Sequence, residues 1–223
     1  PRYYSKHMLH RKDSKNYLDY YIGKKEFYKI RHSVKDAELA GFFDNKVLFY
    51  QHFRESNIKL PKHLGYNLGK MFFSSSGNRS IHNPESFHCL MSDLFLTTGA
   101  SSIFAKPVSG WGGRDCFKID ADKLNLDCLG EIYNKISPAK YLFQETIIQH
   151  PQISAIYPYS VNTLRIHTGI FRNGEIELIS ATMKFGSNGN IVEAGGKGTI
   201  IIPIDMGTGR LGHIPDGQMD TWN

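Results

Sequence analysis

The stretch Ile103-Phe-Ala-Lys-Pro-Val-Ser-Gly-Trp-Gly-Gly-Arg-Asp-Cys-Phe-Lys-Ile119 places a lysine and a glycine cluster between two strand-like segments. Glycines such as Gly110, Gly112 and Gly113 let backbone N–H groups turn toward an anion, and Lys106 supplies a positive charge for phosphate. No Gly-Lys-Ser/Thr follows, and a strand rather than a helix comes next, which excludes a Walker loop and a dinucleotide fingerprint. The stretch therefore predicts either a phosphate-binding loop or a structural turn.

Elsewhere the sequence predicts helices mixed with strands first and strands alone later. Predicted helices cover residues 44–56, with Asp44 as the cap, 84–96 and 124–135. Predicted strands cover residues 70–73, 102–108, 115–120, 141–148, 161–172, 175–185 and 199–205, and residues 74–84 are predicted as a polar loop. This pattern predicts an α+β protein with a small lobe at 41–137, an antiparallel sheet lobe at 138–223 and a ligand cleft between them.

Asn173-Gly174 predicts a two-residue hairpin turn, with Arg172 opposite Glu175. Side chains alternate along a strand, so this register predicts one polar face bearing Thr163, Arg165, His167, Ser180, Thr182 and Lys184. The other face is predicted to be core and bears Leu164, Ile166, Ile170, Ile179, Ala181 and Met183. The diagonal pair Arg165 and Lys184 would repel unless they share an anion, for which phosphate is the simplest choice. The alternative is a solvated face with acidic partners.

The strand predicted at 141–148 carries Glu145 and ends at Gln149-His150-Pro151. Such a strand can offer backbone groups to the edge of an adenine. Taken alone, it is equally well explained as a core strand whose glutamate is exposed or paired, and that simpler interpretation is favoured.

The positive charge of the chain is concentrated in residues 1–35, which contain ten Lys/Arg, three Asp/Glu and six interleaved tyrosines. Together with the neighbouring residues up to 40, this region predicts a basic, tyrosine-rich N-terminal helical segment. Its lysines are expected to be solvated while its tyrosines pack. The alternative is contact with anionic lipid headgroups or nucleic acid through counterion release. We expect no specific nucleic-acid partner.

Cysteine content and hydropathy indicate the cellular compartment of the chain. Cys89, Cys116 and Cys128 are widely spaced, which argues against a disulfide framework and is typical of reduced thiols. No window approaches 18 consecutive apolar residues, and no apolar run follows the first charges, so neither a membrane span nor a signal peptide is expected. We expect a cytoplasmic protein, with the inner face of the membrane as the alternative if residues 1–35 bind lipid.

Several segments together resemble the sugar-transfer-associated ATP-grasp family. The similarity rests on Lys46, Lys106-Pro107 with its glycine loop, Glu145 before Gln149-His150-Pro151, and Ser160-Val-Asn-Thr-Leu-Arg-Ile166. It extends to Lys184-Phe-Gly186, Gly195-Gly196 and Ile204-Asp-Met-Gly-Thr-Gly209 and covers roughly residues 40 to 212. The resemblance implies an ATP-grasp fold, in which two α+β lobes hold ATP between antiparallel sheets.

The resemblance also implies the site residues. ATP would be bound by Lys46, Lys106, Ser109, Gly110, Gly112, Gly113, Glu145, Thr146, Ile147 and Ile148, the last four as the adenine hinge. Arg165 would face the transferred phosphoryl group, and Lys184 is assigned to catalysis with it, although the family pattern has an arginine there. The implied function is an ATP- and Mg²⁺-dependent carboxylate–amine ligase that forms an acyl-phosphate in bacterial surface polysaccharide synthesis. Its substrate would be a carboxylate or a saccharide.

Two alternatives remain open: a phosphotransferase on a hydroxyl acceptor, and a non-catalytic basic module that binds membrane or nucleic acid. The metal ligands are also open. No Glu-x-Asn motif of the kind that ATP-grasp enzymes use for magnesium occurs before Asn223, and Glu193 and Asp205 qualify by chemistry only. Either the metal-binding end lies beyond this chain, which we expect, or the protein binds nucleotide without turning it over.

Overall fold

The structure is a computed structural model that describes residues 23–34, 37–110, 112–171, 173–192 and 199–212. The chain divides into two compact units, Pro1–Phe43 and Asp44–Asn223. Within the described ranges, no helix combines the length and the apolar character that crossing a bilayer requires.

The described helices and strands are mixed along the chain. The helices are α1 (Lys24–Val34), α2 (Ala37–Asp44), α3 (Lys46–Phe53), α4 (Pro84–Thr98), α5 (Leu126–Ile136) and the single-turn α6 (Pro151–Ser154). The strands are β1 (His63–Leu68), β2 (Met71–Ser74), β3 (Gly77–Ser80), β4 (Ser102–Pro107), β5 (Phe117–Asp120), β6 (Lys140–Glu145), β7 (Thr163–Ile170), β8 (Ile176–Phe185) and β9 (Ile200–Ile204).

These strands form two antiparallel sheets, one of six strands in the order β3-β2-β1-β6-β4-β5 and one of three in the order β7-β8-β9. The predicted α+β class is confirmed. The sequence did not predict β1 or β3. Strand β1 does alternate, with Leu64, Tyr66 and Leu68 separated by His63, Gly65 and Asn67, so its signal was present and was missed. Strand β3 is exposed throughout and contains no apolar residue that could mark it.

One face of the six-stranded sheet is covered by α4 and α5 and holds the main core. Its members include Phe72, Phe87, Met91, Ile103, Ile119, Leu129, Ile136 and Phe143. Asn67 lies inside this region, where its side chain donates to the carbonyls of Gly69 and Ile136 and accepts from the N–H of Tyr141. Because these hydrogen bonds satisfy the buried amide, Asn67 links β1 to the end of α5 and to β6 without an unpaired polar group.

The opposite face of the six-stranded sheet is covered only in part. Val47 of α3 packs there with Val108 and Leu142. Helix α3 is capped by Asn45, whose side chain accepts from Val47 N and Leu48 N; Asp44, the predicted cap, belongs to the preceding helix. Beyond this corner, the same face is left open by the described residues and forms one wall of a cavity.

Strand β6 lies between β1 and β4 in the six-stranded sheet. The sheet therefore continues past the lobe boundary predicted at residues 137–138, because β6 pairs with strands from earlier in the chain. The division into lobes at 41–137 and 138–223 stays a prediction.

The hairpin of β7 and β8 has the predicted register from Thr163 to His167, but its turn differs from the predicted one. Thr163 pairs with Lys184, Arg165 with Thr182 and His167 with Ser180, as expected. The prediction of a two-residue turn is wrong. Phe171 N donates to Glu175 O, and Ile170 pairs with Ile176, so the turn is one residue longer than predicted. A bulge between His167 and Thr168 places one extra residue on β8 and restores the register.

The predicted core face of this hairpin is exposed among the described residues. Leu164 is 53% exposed and Ile170 is 78% exposed, and Ile166 and Ile179 are also exposed; only Ala181 is buried. The prediction that this face is core is therefore wrong among the described residues, because none of the described helices covers it.

Candidate functional site

A cavity of about 990 Å³ lies within the Asp44–Asn223 unit and is lined by both sheets. From α3, β4, β5 and the glycine loop it takes Lys46, Phe104, Lys106, Pro107, Ser109, Gly110, Gly112, Gly113, Arg114, Asp115, Cys116 and Lys118. From β6 and the later segments it takes Gln144, Thr146, Ile147, Gln149, Ser154, Pro158, Tyr159, Ser160, Val161, Thr163, Arg165, Lys184, Ile191 and Val192. Its volume is in the range of small-molecule sites.

The glycine loop is fixed at its base by Lys46. The Nζ of Lys46 donates to Gly110 O at 2.8 Å, and its backbone N–H donates to Val108 O at 2.9 Å. Gly110, Gly112 and Gly113 all have positive φ, a region that side-chain-bearing residues rarely adopt. The start of α3 is thereby held against the loop, and the loop backbone can approach a ligand closely.

Two cavity lysines, Lys106 and Lys46, both have lowered pKa values. Burial lowers the pKa of Lys106 below its ordinary value, and the nearby Lys46 lowers that pKa further. Burial also lowers the pKa of Lys46. Burial raises the pKa of the Cys116 thiol, although the two lysines oppose that shift. A bound anion would offset this repulsion and favour protonated lysines, so this end of the cavity is suited to phosphate.

The three-stranded sheet contributes two more cationic residues to the same cavity. Arg165 of β7 and Lys184 of β8 both line it, and the pairing of Thr163 with Lys184 and of Arg165 with Thr182 places the two cations diagonally on one face. The polar face of the hairpin is therefore turned to the cavity and the apolar face away from it.

The segment after β6 is divided between the cavity and the surface. Thr146 and Ile147 line the cavity, whereas Glu145 and Ile148 do not. The Glu145 carboxylate lies 3.3 Å from Lys62 Nζ, and Ile148 is 95% exposed. The structure thus brings together ten of the twelve residues assigned from the sequence and leaves the side chains of these two outside.

A network centred on the buried Asn162 holds the segment that contributes Gln149, Ser160 and Val161 to the cavity, and it was not predicted. Its Nδ2 donates to Ile153 O at 3.1 Å and to Tyr157 O at 3.0 Å, its Oδ1 accepts from Gly186 N, and its own N–H donates to the side-chain oxygen of Gln149. Asn162 lies in the Ser160-Val-Asn-Thr-Leu-Arg-Ile166 motif, so the family resemblance could have pointed to it. No pattern in the sequence alone marks it as a structural residue.

Gly186 makes the closest approach in this network. A Cβ built on it would lie 2.4 Å from Ser160 Oγ and 2.4 Å from a ring carbon of Tyr157. The Tyr157 hydroxyl lies 3.0 Å from Ser187 O, to which it can donate. Contact at Gly186 therefore holds the end of β8, just beyond Lys184, against the segment that follows α6.

The described residues contain no dedicated cluster of metal ligands. No three of their His, Cys, Asp and Glu side chains are grouped as metal ligands would be. Asp205 instead accepts from Thr208 N and Thr208 Oγ1 at 2.7 Å each, and these bonds lower its pKa. Glu193, Gly195 and Gly196 lie outside the described residues.

A glycine loop on one antiparallel sheet and two cations on a second line the same cavity, which is the arrangement that the resemblance to ATP-grasp proteins implied. The match to the sugar-transfer associated ATP-grasp family model extends over residues 28–220. The chain belongs to that family.

Two further comparisons add little. No curated protein matches the sequence. Among solved structures, the chain is similar to D-alanyl-alanine synthetase A from Vibrio cholerae O1 biovar eltor str. N16961, with 15% identity and a TM-score of 0.39 over 66% of this chain. The chain spans about a third of that structure's length, since 34% of it is covered.

Proposed function

We propose that this protein is an ATP-dependent carboxylate–amine ligase that forms an acyl-phosphate, acting in bacterial surface polysaccharide synthesis. The observation that carries the proposal is that Lys46 of α3, Lys106 of one sheet, and Arg165 and Lys184 of the other sheet all line one cavity beside the glycine loop. Together with Arg114 and Lys118, which also line it, these cations match a ligand with several negative charges, and a nucleoside triphosphate is the ligand of this family. The family name supports a saccharide or a saccharide-linked carboxylate as substrate.

The proposed roles are divided between the two walls of the cavity. On the wall formed by the six-stranded sheet and α3, Lys106 and Lys46 bind the phosphates. Ser109, Gly110, Gly112 and Gly113 close over the phosphates with their backbone N–H groups. The hinge for the base is the backbone of residues 145–148. Magnesium would neutralise part of the triphosphate charge when it is bound.

On the three-stranded sheet, Arg165 and Lys184 stabilise the charge that develops during phosphoryl transfer. A carboxylate oxygen attacks the γ-phosphorus, the bond to ADP breaks, and an acyl-phosphate forms. An amine nitrogen then attacks the acyl carbon, phosphate leaves, and the nitrogen loses a proton. The protein supplies position and electrostatic stabilisation for both steps.

Hydroxylamine trapping tests the reaction class. The protein, Mg·ATP, hydroxylamine and a panel of sugar carboxylates are incubated together, and the iron complex of any hydroxamate is measured. We expect one hydroxamate per ADP, only in the presence of a carboxylate, because hydroxylamine replaces the amine. Arg165→Met should abolish most of this signal. ADP released together with a phosphorylated hydroxyl group, and no hydroxamate, would instead identify a phosphotransferase.

Membrane contact through residues 1–35 is a separate proposal. Most of this segment lies outside the described residues. Within α1, Phe27 and Ile30 are exposed, and Lys25 and Lys29 are exposed on the same helix. A basic helix with exposed apolar side chains is suited to an anionic bilayer surface.

Co-sedimentation with phosphatidylserine vesicles tests this contact. We expect Phe27→Ser combined with Ile30→Ser to reduce vesicle binding by at least tenfold, or about 1.4 kcal/mol. Each side chain contributes roughly 1.5–3 kcal/mol when fully buried, so partial burial of the two is enough for a loss of this size. The control is Leu96→Ser, which replaces an exposed apolar residue of α4. Equal binding by the variant and the wild type would refute the membrane contact.

A further inference from the structure

Unpaired polar atoms mark one end of the cavity. Among the described residues, three buried side-chain atoms lack a hydrogen-bond partner: Thr146 Oγ1, Gln149 Nε2 and Ser160 Oγ. All three residues line the same cavity. A buried polar group without a partner costs about 1–3 kcal/mol, so such groups are uncommon unless something else satisfies them. Their grouping on residues 146–160 indicates that this end is completed by a ligand.

The orientation of the Gln149 amide is fixed. Its Oε1 accepts from the backbone N–H of Asn162, and Asn162 is itself held by Ile153 O, Tyr157 O and Gly186 N. Rotating the amide by half a turn would bring its NH₂ group against the Asn162 N–H, where two donors would oppose each other. The unpaired group is therefore the NH₂, which only donates, so this position selects a hydrogen-bond acceptor.

The separation of Gln149 from the cations fits the length of a nucleotide. Lys106 pairs with Leu142 across β4 and β6, and Phe104 pairs with Gln144 on the same face. Thr146 follows Leu142 by four residues, about 13 Å at ~3.3 Å per residue. An extended nucleoside triphosphate with its phosphates at Lys106 would place its nucleoside near Thr146 and Gln149. Phe104 and Ile147 also line the cavity, and they are close in the strand pairing or in sequence to Gln144 and Thr146, which gives this end an apolar component.

We propose that Gln149 is a specificity-determining residue for the nucleoside portion of the nucleotide, donating from Nε2 to an acceptor on the ribose or the base, and that Asn162 is its positioning residue. This inference rests on the proposed function, because it assumes that the triphosphate occupies the cationic end. It goes further by assigning nucleotide selection to a side chain of the segment between β6 and β7, in addition to the hinge backbone.

Calorimetric titration of Gln149 variants tests the inference. Gln149→Leu should bind Mg·ATP about tenfold more weakly than the wild type, while binding of inorganic tripolyphosphate should stay within about twofold, because the lost contact is to the nucleoside and not to the phosphates. Leucine also removes the oxygen that accepts from the Asn162 N–H, and Gln149→Glu controls for that loss. Gln149→Glu keeps the oxygen that accepts from Asn162 and replaces the donor by an acceptor, so its loss should be larger. Gln152→Leu, the same change at an exposed position of α6, should alter neither affinity.

Nucleotide analogues locate the acceptor and keep the test independent of variant folding. 2′-Deoxy-ATP and 3′-deoxy-ATP each remove a ribose hydroxyl acceptor, and 1-deaza-ATP, 3-deaza-ATP and 7-deaza-ATP each remove a ring nitrogen. One of the five should bind the wild type about tenfold more weakly than ATP and lose no further affinity in Gln149→Leu. Wild-type affinity for Mg·ATP in both Gln149 variants, or five analogues that all bind as ATP does, would overturn the inference and leave the proposed function standing. Failure of the wild type to bind either Mg·ATP or tripolyphosphate would overturn the proposed function itself.

Discussion

Replacing Lys106 with methionine is expected to weaken Mg·ATP binding by roughly 10- to 150-fold, because a hydrogen bond to a charged group contributes about 1.5–3 kcal/mol. Lys106 lines the cavity beside the glycine loop and faces Lys46. Methionine keeps most of the side-chain volume and removes the charge. The fold should be retained, because the change also removes the burial of a charge and its repulsion by Lys46. Lys70→Met, at an exposed position, is the matched control.

The pH dependence of binding gives a second measurement on the same residue. The pKa of Lys106 is below its ordinary value in the free protein, and a triphosphate should raise it again. Binding is therefore expected to take up a proton where the pH lies between these two pKa values, and affinity should fall as the pH rises through the lowered pKa. Titrations in buffers of different ionisation enthalpy would show this uptake in the wild type and less of it in Lys106→Met. Unchanged affinity of Lys106→Met for Mg·ATP would show that Lys106 does not bind the nucleotide.

Gly186→Ala is expected to destabilise the protein by about 1–3 kcal/mol, measured by denaturant unfolding. The added methyl group would lie 2.4 Å from Ser160 Oγ and from the Tyr157 ring, so the segment after α6 or the end of β8 must move. Such a movement would also displace Asn162, whose Oδ1 accepts from Gly186 N, and nucleotide affinity should fall with stability.

Gly207→Ala is the control for this change, because the nearest atom to its added Cβ is 3.6 Å away in the side chain of Asp205. We expect it to unfold within about 0.5 kcal/mol of the wild type. A Gly186→Ala variant as stable as this control would show that the contact with Tyr157 and Ser160 can relax without cost.

Local features of the site could be predicted from the sequence. The lysine before the glycine loop and the alternation of β7 and β8 are short-range patterns, and alternation alone placed Arg165 and Lys184 on one face. The register was predicted although the turn was not. The bulge that compensates for the longer turn could not be predicted, because its extra residue, Ile179, is typical of an ordinary strand.

Long-range features could not be predicted in the same way. The donation from Lys46 Nζ to Gly110 O joins residues 64 positions apart, and only the family resemblance pointed to Lys46. The Asn162 network lies in a segment without periodicity, so neither helix nor strand patterns mark it. Glu145 reads as a candidate ligand residue, but its ion pair with Lys62 depends on the pairing of β6 with β1.

The central claim is that both sheets bind the same triphosphate, and calorimetric titration of Mg·ATP into the wild type and Arg165→Met tests it most directly. We predict one saturable site in the wild type and at least tenfold weaker binding in the variant, about 1.4 kcal/mol. Arg54→Met, an exposed change outside the cavity lining, should bind like the wild type. No heat from the wild type at millimolar nucleotide, or equal affinities for the wild type and Arg165→Met, would contradict the claim.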